Sequence, residues 1–236
     1  MFDSAIEAWR LLATANRYIL DVIALSLRVS GVALLIAVLL GVPIGTAVAL
    51  ERFRGRAVVI ALIHTGFALP PIVVGLFVYL MLSRSGPLGT LGLLFTPTAM
   101  ILAQAVLATP YVMGITLAAV QAVPADVRFQ ARALGASRTR AILTHMREAR
   151  LGIVAAVVAG FGAVISEVGA VMLVGGNVLD ETRVMTTAIL LETRRGNFAA
   201  AMALGFVLLA LAFAVNLVLT RLQQGTGARA RNAPWA

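Results

Sequence analysis

The stretch VSGVALLIAVLLGVPIGTAVAL, residues 29–50, decides the class of this chain: it holds no Asp, Glu or Arg and is apolar almost throughout. Residues 57–83, 85–125 and 196–220 are equally free of these charges. About 20 consecutive apolar residues in helical form match a hydrocarbon core roughly 30 Å thick. Over all 236 residues, 61% of positions are hydrophobic and 12% are charged, where a soluble globule carries about a quarter charged residues. These features predict an all-α polytopic membrane protein, with residues 1–236 forming a single transmembrane domain.

The same composition removes other classes. Without Cys there are no disulfides, iron–sulfur clusters or thiolate zinc sites. His64 and His145 are the only two His, too few for a metal cluster, and no bound cofactor is expected. His64 itself reads as a satisfied buried histidine. All 19 basic residues are Arg, and a phosphate-binding P-loop needs Lys. The chain is therefore not expected to be an enzyme, and any ATP and magnesium chemistry belongs to another polypeptide.

The net charge of +9 is unevenly placed. Arg52, Arg54 and Arg56 against Glu51 leave residues 51–58 at +2. Residues 122–150 carry Arg128, Arg132, Arg138, Arg140, Arg147 and Arg150 against Asp126 and Glu148, a net +4. Arg221, Arg229 and Arg231 give the tail +3, and the remainder is neutral. Basic segments beside membrane spans stay cytoplasmic. Three of them predict five spans, near residues 19–50, 58–82, 98–120, 151–174 and 198–219, with the N-terminus outside and the C-terminus inside. The basic excess reads as topology, and no nucleic-acid partner is expected.

The first span exceeds what a bilayer needs, so it tilts or begins with an interfacial stretch near Asp21 and Arg28. Residues 1–17 lack the basic start and small-residue cleavage site of a signal peptide. Residues 175–197 are expected outside, with the short apolar run 184–191 as a helix at the outer mouth. The tail after Thr220 is short and basic, without room for a regulatory domain.

Residues 122–150 are the most informative soluble segment. Pro124 and Asp126 suit a helix start. Val127, Ala131 and Leu134 then recur on one face, with Arg128 and Arg132 on another. Gly135 ends that helix as a C′ glycine, and Ser137 can cap the next. From the residues alone this is either an ordered basic inside loop or a docking element. The run Phe129-Gln130-Ala131-Arg132-Ala133-Leu134-Gly135-Ala136-Ser137 resembles the EAA loop of type I ABC-importer permeases, E-A-A-x-x-L-G-A-S. Phe129 and Gln130 replace the usual Glu and Ala, and the usual Leu-Pro downstream is missing. The resemblance implies a coupling helix that inserts into a cleft of a cytoplasmic ATPase, with Asp126, Phe129, Gln130, Ala131, Leu134, Gly135, Ala136 and Ser137 as its contact region.

The resemblance extends over most of residues 20–221, with a permease core at about 22–221. Ala68-Leu69-Pro70-Pro71 through Gly75 is similar to the proline-broken helix of oxyanion permeases, and Ser166-Glu167-Val168-Gly169-Ala170 through Asn177 to a segment of molybdate and sulfate permeases. Ser83 to Gly89, Glu167 and its neighbours, and the run from Thr182 to Gly196 resemble tungstate-importer permeases most. Such a protein is implied to work as a homodimer with two ATPase subunits and an extracytoplasmic oxyanion-binding protein.

Pro70 and Pro71 remove backbone donors within the second span, and Thr109-Pro110 is expected to break the third. Membrane helices tolerate such breaks beside protein or a water-filled cavity. Leu69, Pro70, Pro71, Val73, Thr109, Pro110 and Glu167 are therefore the candidate gate residues, with packing kinks as the alternative. On a continuous fourth helix Glu167 would lie about 24 Å beyond Leu151, near the outer interface. An ion pair with Arg183 or Arg194 suits it better than an oxyanion, because like charges repel. Thr182, Arg183, Thr186, Thr187, Arg194 and Arg195 could line an oxyanion path at the outer mouth, or meet headgroups or a binding protein. Gly41 and Gly45 form a small-xxx-small pair that suits close helix packing, with a contact between two copies as one form of it. An ion-coupled secondary transporter, a channel, or a non-transporting assembly subunit also fits the residues alone.

Overall fold

A computed structural model describes residues 2–14 and 16–231, with side chains described for residues 3–14 and 16–222. Residues 232–236, and the side chains of Arg229 and Arg231 that complete the basic tail, lie outside the described residues. The described residues form eleven α-helices, one 3₁₀ turn and no strand. In chain order these are α1 (Phe2–Ala13), α2 (Arg17–Leu50), α3 (Arg56–Ala68), α4 (Pro71–Leu82), α5 (Pro97–Ala122), α6 (Asp126–Ala133), α7 (Arg138–Glu148), α8 (Arg150–Ile165), α9 (Gly169–Gly175), α10 (Met185–Arg194) and α11 (Phe198–Arg231). The 3₁₀ turn, Gly89–Leu91, falls between α4 and α5.

Helices α2, α5 and α11 are each long and apolar enough to cross a membrane alone. The count rises to five if each of two broken helix pairs is one span. The second expected span is interrupted at Leu69–Pro70, where the sequence places its break. Pro71 opens α4, and the Pro70 carbonyl accepts from Val73 N at 2.9 Å and Val74 N at 3.3 Å. The fourth expected span is not continuous: α8 stops at Ile165 and the helix restarts as α9. The segment before α8 is a poor membrane crosser, because α7 carries Arg138, Arg140 and Arg147. In α5 the expected break is absent, and Pro110 sits inside a continuous helix.

The chain divides into two compact units, the first formed by residues 1–36, 69–108 and 161–213, the second by residues 37–68, 109–160 and 214–236. In the first unit, Val29 of α2, Val74 and Val78 of α4, Met100 and Leu107 of α5, and Val171 and Val174 of α9 share one core. A second core there joins Ala8 of α1, Ile19 and Val22 of α2, Met185 and Ala188 of α10, and Leu204 of α11. In the second unit, Val48, Ile63 and Leu117 pack together, with Val59, Ile60 and Met113 around them.

Glycine permits these helices to approach. A Cβ on Gly45 would lie 2.5 Å from the Met113 carbonyl, and one on Gly41 would lie 2.8 Å from Val112 Cβ. The small-xxx-small pair thus serves close helix packing as expected, here of α2 on α5 within one chain. Gly66 similarly admits the Pro110 ring. In the first unit, a Cβ on Gly75 would lie 2.5 Å from Ala170 Cα, so α4 and α9 meet backbone to backbone. Gly75→Leu should lower stability by at least about 1–3 kcal/mol through overpacking. Thermal unfolding of purified protein in detergent checks this, and Ile72→Leu on the exposed side of α4 should leave the midpoint unchanged.

Candidate functional site

The basic segment folds as a helical hairpin inside the second unit. Helix α6 ends in a Schellman arrangement: Ala136 N donates to Ala131 O and Gly135 N to Arg132 O, both at 3.0 Å. Gly135 takes φ +87°, a conformation that costs a side-chain-bearing residue. The Ser137 hydroxyl then caps α7 by accepting from Arg140 N at 3.3 Å. Helix, glycine turn and capped helix stand where the sequence places them. Leu134 is 89% exposed and Phe129 68% exposed, so the hairpin presents two large apolar side chains to its surroundings. Beside them is a groove of about 490 Å³ lined by Val127, Gln130, Ala131, Gly135 and Ala136 of the first arm and Arg140 and Thr144 of the second. Asp126 occupies the first turn of α6, exposed, where a carboxylate suits the helix dipole.

Two contacts hold the hairpin to its unit. His145, 1% exposed, binds the Val120 carbonyl through Nε2 at 2.9 Å, joining α7 to the last turns of α5. Arg138 pairs with Glu51 at 2.6 Å, joining the start of α7 to the end of α2. His64, expected to be buried, is exposed on α3 with its ring edge-on to Phe67.

Of the expected gate residues, Leu69, Pro70, Pro71 and Val73 are exposed, with Leu69 and Val73 39% and 51% accessible in the isolated chain. Thr109 and Pro110 belong to the other compact unit and are partly buried. Glu167 is buried, but its partner is not an arginine. Oε1 accepts from Ala170 N at 2.8 Å, satisfying a free donor where α9 begins. Among the described residues it makes no ion pair, which corrects the expected bridge to Arg183 or Arg194. The break between α8 and α9 supplies the reason: it places the first turn of a new helix beside the carboxylate.

The expected outer-mouth residues are mostly occupied internally. The Thr186 hydroxyl donates to the Glu167 carbonyl at 2.7 Å. That of Thr182 donates to Gly175 O at 2.6 Å and accepts from Val178 N at 2.9 Å. Thr187 accepts from Val184 N at 3.2 Å and donates to Val184 O at 3.1 Å, fixing the start of α10. All three are buried, so none offers a hydroxyl to an anion or a headgroup. Arg183 is also buried, 5.9 Å from the Tyr18 ring centre and donating to Asn177 O at 3.3 Å. Only Arg194 and Arg195 are exposed, and Arg195 lies 3.7 Å from Glu192.

Sequence reasoning missed the polar cluster that Arg183 joins. Tyr18 donates to Glu192 at 3.1 Å and Asn197 donates to the same carboxylate at 2.9 Å. These residues and Arg195 border a cavity of about 350 Å³. A buried-type acid at Glu192, followed by Asn197 before an apolar run, was its one local signal.

Interrupted apolar helices together with an exposed basic helical hairpin define a multi-pass helical membrane protein. Residues 41–231 match the family described as binding-protein-dependent transport system inner membrane component, and the chain belongs to that family. It is accordingly a multi-pass protein of the inner membrane. It is 48% identical over 217 residues to a probable anion ABC transporter permease of Haloferax volcanii, covering 90% of this chain and 94% of that one. It is 38% identical to a tungstate uptake permease, TupB, of Peptoclostridium acidaminophilum, covering 92% and 95%. Against the molybdenum permease ModB of Escherichia coli the identity is 29%, over 76% and 82%. Among solved structures, the inward-facing MetNI methionine ABC transporter superposes with a TM-score of 0.69 at 16% identity, covering 89% and 94%. A bacterial alginate ABC transporter gives 0.71 at 19% identity, covering 88% and 78%. The fold is that of type I ABC importer permeases.

Gly135→Ala should weaken the hairpin turn by about 1 kcal/mol, since nothing crowds the site and only the positive φ opposes a side chain. Hydrogen exchange of the α6 amides should then speed up roughly fivefold, with a smaller effect for Gly135→Asn.

Proposed function

We propose that this chain is the permease of an ATP-driven importer of tungstate, acting as a homodimer. Two ATPase subunits, carrying ATP and magnesium, dock on the α6–α7 hairpins from the cytoplasm. An extracytoplasmic binding protein delivers the oxyanion. The single observation that carries the docking reading is the hairpin itself: a glycine-turned, serine-capped pair of helices that exposes Phe129 and Leu134 instead of burying them. Such a ridge costs solubility unless a partner covers it. The tungstate assignment is supported by identities of 38% and 33% to tungstate permeases, against 29% for a molybdenum permease. Molybdate is the alternative cargo, and sulfate follows on the same chemistry.

In this reading, closure of the ATPases moves the hairpins, and the short capped segments yield before the long continuous helices do. His145 and Arg138 transmit the movement to α5 and α2 inside the second unit. The exposed Leu69 to Val73 segment narrows the translocation path between the two copies. A five-span topology with cytoplasmic basic segments completes the arrangement.

The test is co-purification with an ABC ATPase and a candidate binding protein, then ATPase assay in lipid nanodiscs. Binding protein loaded with tungstate should stimulate hydrolysis more than the same protein loaded with molybdate or sulfate. Gly135→Pro should abolish stimulation while the permease still inserts and dimerises. Failure to form a complex with any ABC ATPase would overturn the proposal.

A further inference from the structure

Helix α1 is the element that neither the charge pattern nor the transport reading uses. At 100° per residue its side chains fall into three sectors. Ala8, Leu11 and Leu12 face the protein: Ala8 is 0% exposed and packs with Ile19, Val22, Met185 and Leu204. Asp3, Glu7 and Arg10 share a second sector, with Glu7 and Arg10 paired at 3.4 Å. Ile6 and Trp9 form the third, 65% and 71% exposed. A soluble surface gains nothing from an exposed indole beside an exposed isoleucine.

The position of α1 says what covers them. Only residues 14–16 separate it from α2, a reach of at most about 14 Å. Asn16 N donates to Leu11 O at 3.2 Å, closing the end of α1, and Ala8 packs on Ile19 and Val22, so α1 folds back on the first turns of the span. A helix fixed at the head of a membrane span, polar along one side and apolar along another, sits at the level of lipid headgroups and upper acyl chains. Trp is the residue enriched at that depth, because its ring is apolar and its N–H prefers water. Beside α1 runs a cleft of about 590 Å³ lined by Ser4, Ile189, Thr193, Phe198, Ala201 and Met202, at the first turn of the span α11.

We propose that α1 is an interfacial helix whose Ile6–Trp9 face beds in phospholipid of the leaflet where α2 begins, and that an acyl chain of that leaflet fills the neighbouring cleft. Burial against the protein fixes the inner side of α1, charges hold the second side in water, and lipid takes the third.

The chain has two Trp, so Trp235→Phe leaves Trp9 as the sole reporter in the 236-residue chain. It is reconstituted in phosphatidylcholine vesicles with and without lipid brominated on its acyl chains. Trp9 emission should fall about twofold with brominated lipid and resist aqueous acrylamide. A second reporter, Phe198→Trp in a background of Trp9→Phe and Trp235→Phe, should be quenched by the same lipid. Strong acrylamide quenching without lipid quenching would place Trp9 in water and overturn the proposal. Protection from both quenchers would overturn it as well, because a second copy or another subunit would then cover the face. If the indole introduced by Phe198→Trp were reached only by acrylamide, the cleft would be aqueous and would hold no acyl chain.

Discussion

Hydrocarbon offers no hydrogen-bond partner to a peptide group, so every backbone N–H and C=O at membrane depth must be satisfied by the chain itself. Long helices satisfy this for α2, α5 and α11. Where a helix stops, a local device takes over. The Pro70 carbonyl accepts two amides as α4 begins, the Glu167 carboxylate accepts the Ala170 amide as α9 begins, and Thr187 closes the start of α10. Several buried polar side chains of the first unit are explained by this duty. Thr182 and Thr186 look like part of a substrate path when read singly, but their hydroxyls are engaged by backbone.

The second constraint is approach distance. Between apolar helices in lipid, attraction comes from contact, and contact needs small residues. Gly41, Gly45 and Gly66 admit α5 in one unit, and Gly75 admits α9 in the other. Backbone proximity of this kind resists deformation, because interiors packed without voids move between discrete arrangements. The α6–α7 hairpin is built on the opposite principle. Phe129 and Leu134 point outward, and the order of its turn comes from a glycine and a cap instead of a core. The hairpin is thus ordered locally and exposed, while the helices of each unit are held by close backbone contact.

Several features were legible in the sequence because they depend on a residue and its near neighbours. Spans follow from runs without charge, the break at Leu69–Pro70 from a missing amide donor, and the hairpin from Gly135 and Ser137 in register with an apolar stripe. Other readings failed where a second element enters. Pro110 sits in an unbroken helix, facing the gap that Gly66 leaves. Helix α1 was overlooked although Asp3, Glu7 and Arg10 share one side and apolar residues fill the rest.

The sequence by itself determined that this protein is helical, that it lies in a membrane, and where its basic segments and its hairpin turn fall. Charge, hydropathy and the turn preferences of Gly135 and Ser137 are properties of short stretches, legible without knowledge of distant contacts. Tertiary structure alone decided which polar groups are free. Tyr18 meets Glu192 across 174 residues, Ser26 accepts the Met185 amide across 159, and Glu167 turns from the arginines to a helix terminus. Each pairing is set by how helices far apart in the chain pack, and packing depends on shape and volume summed over many side chains, information that no local pattern carries.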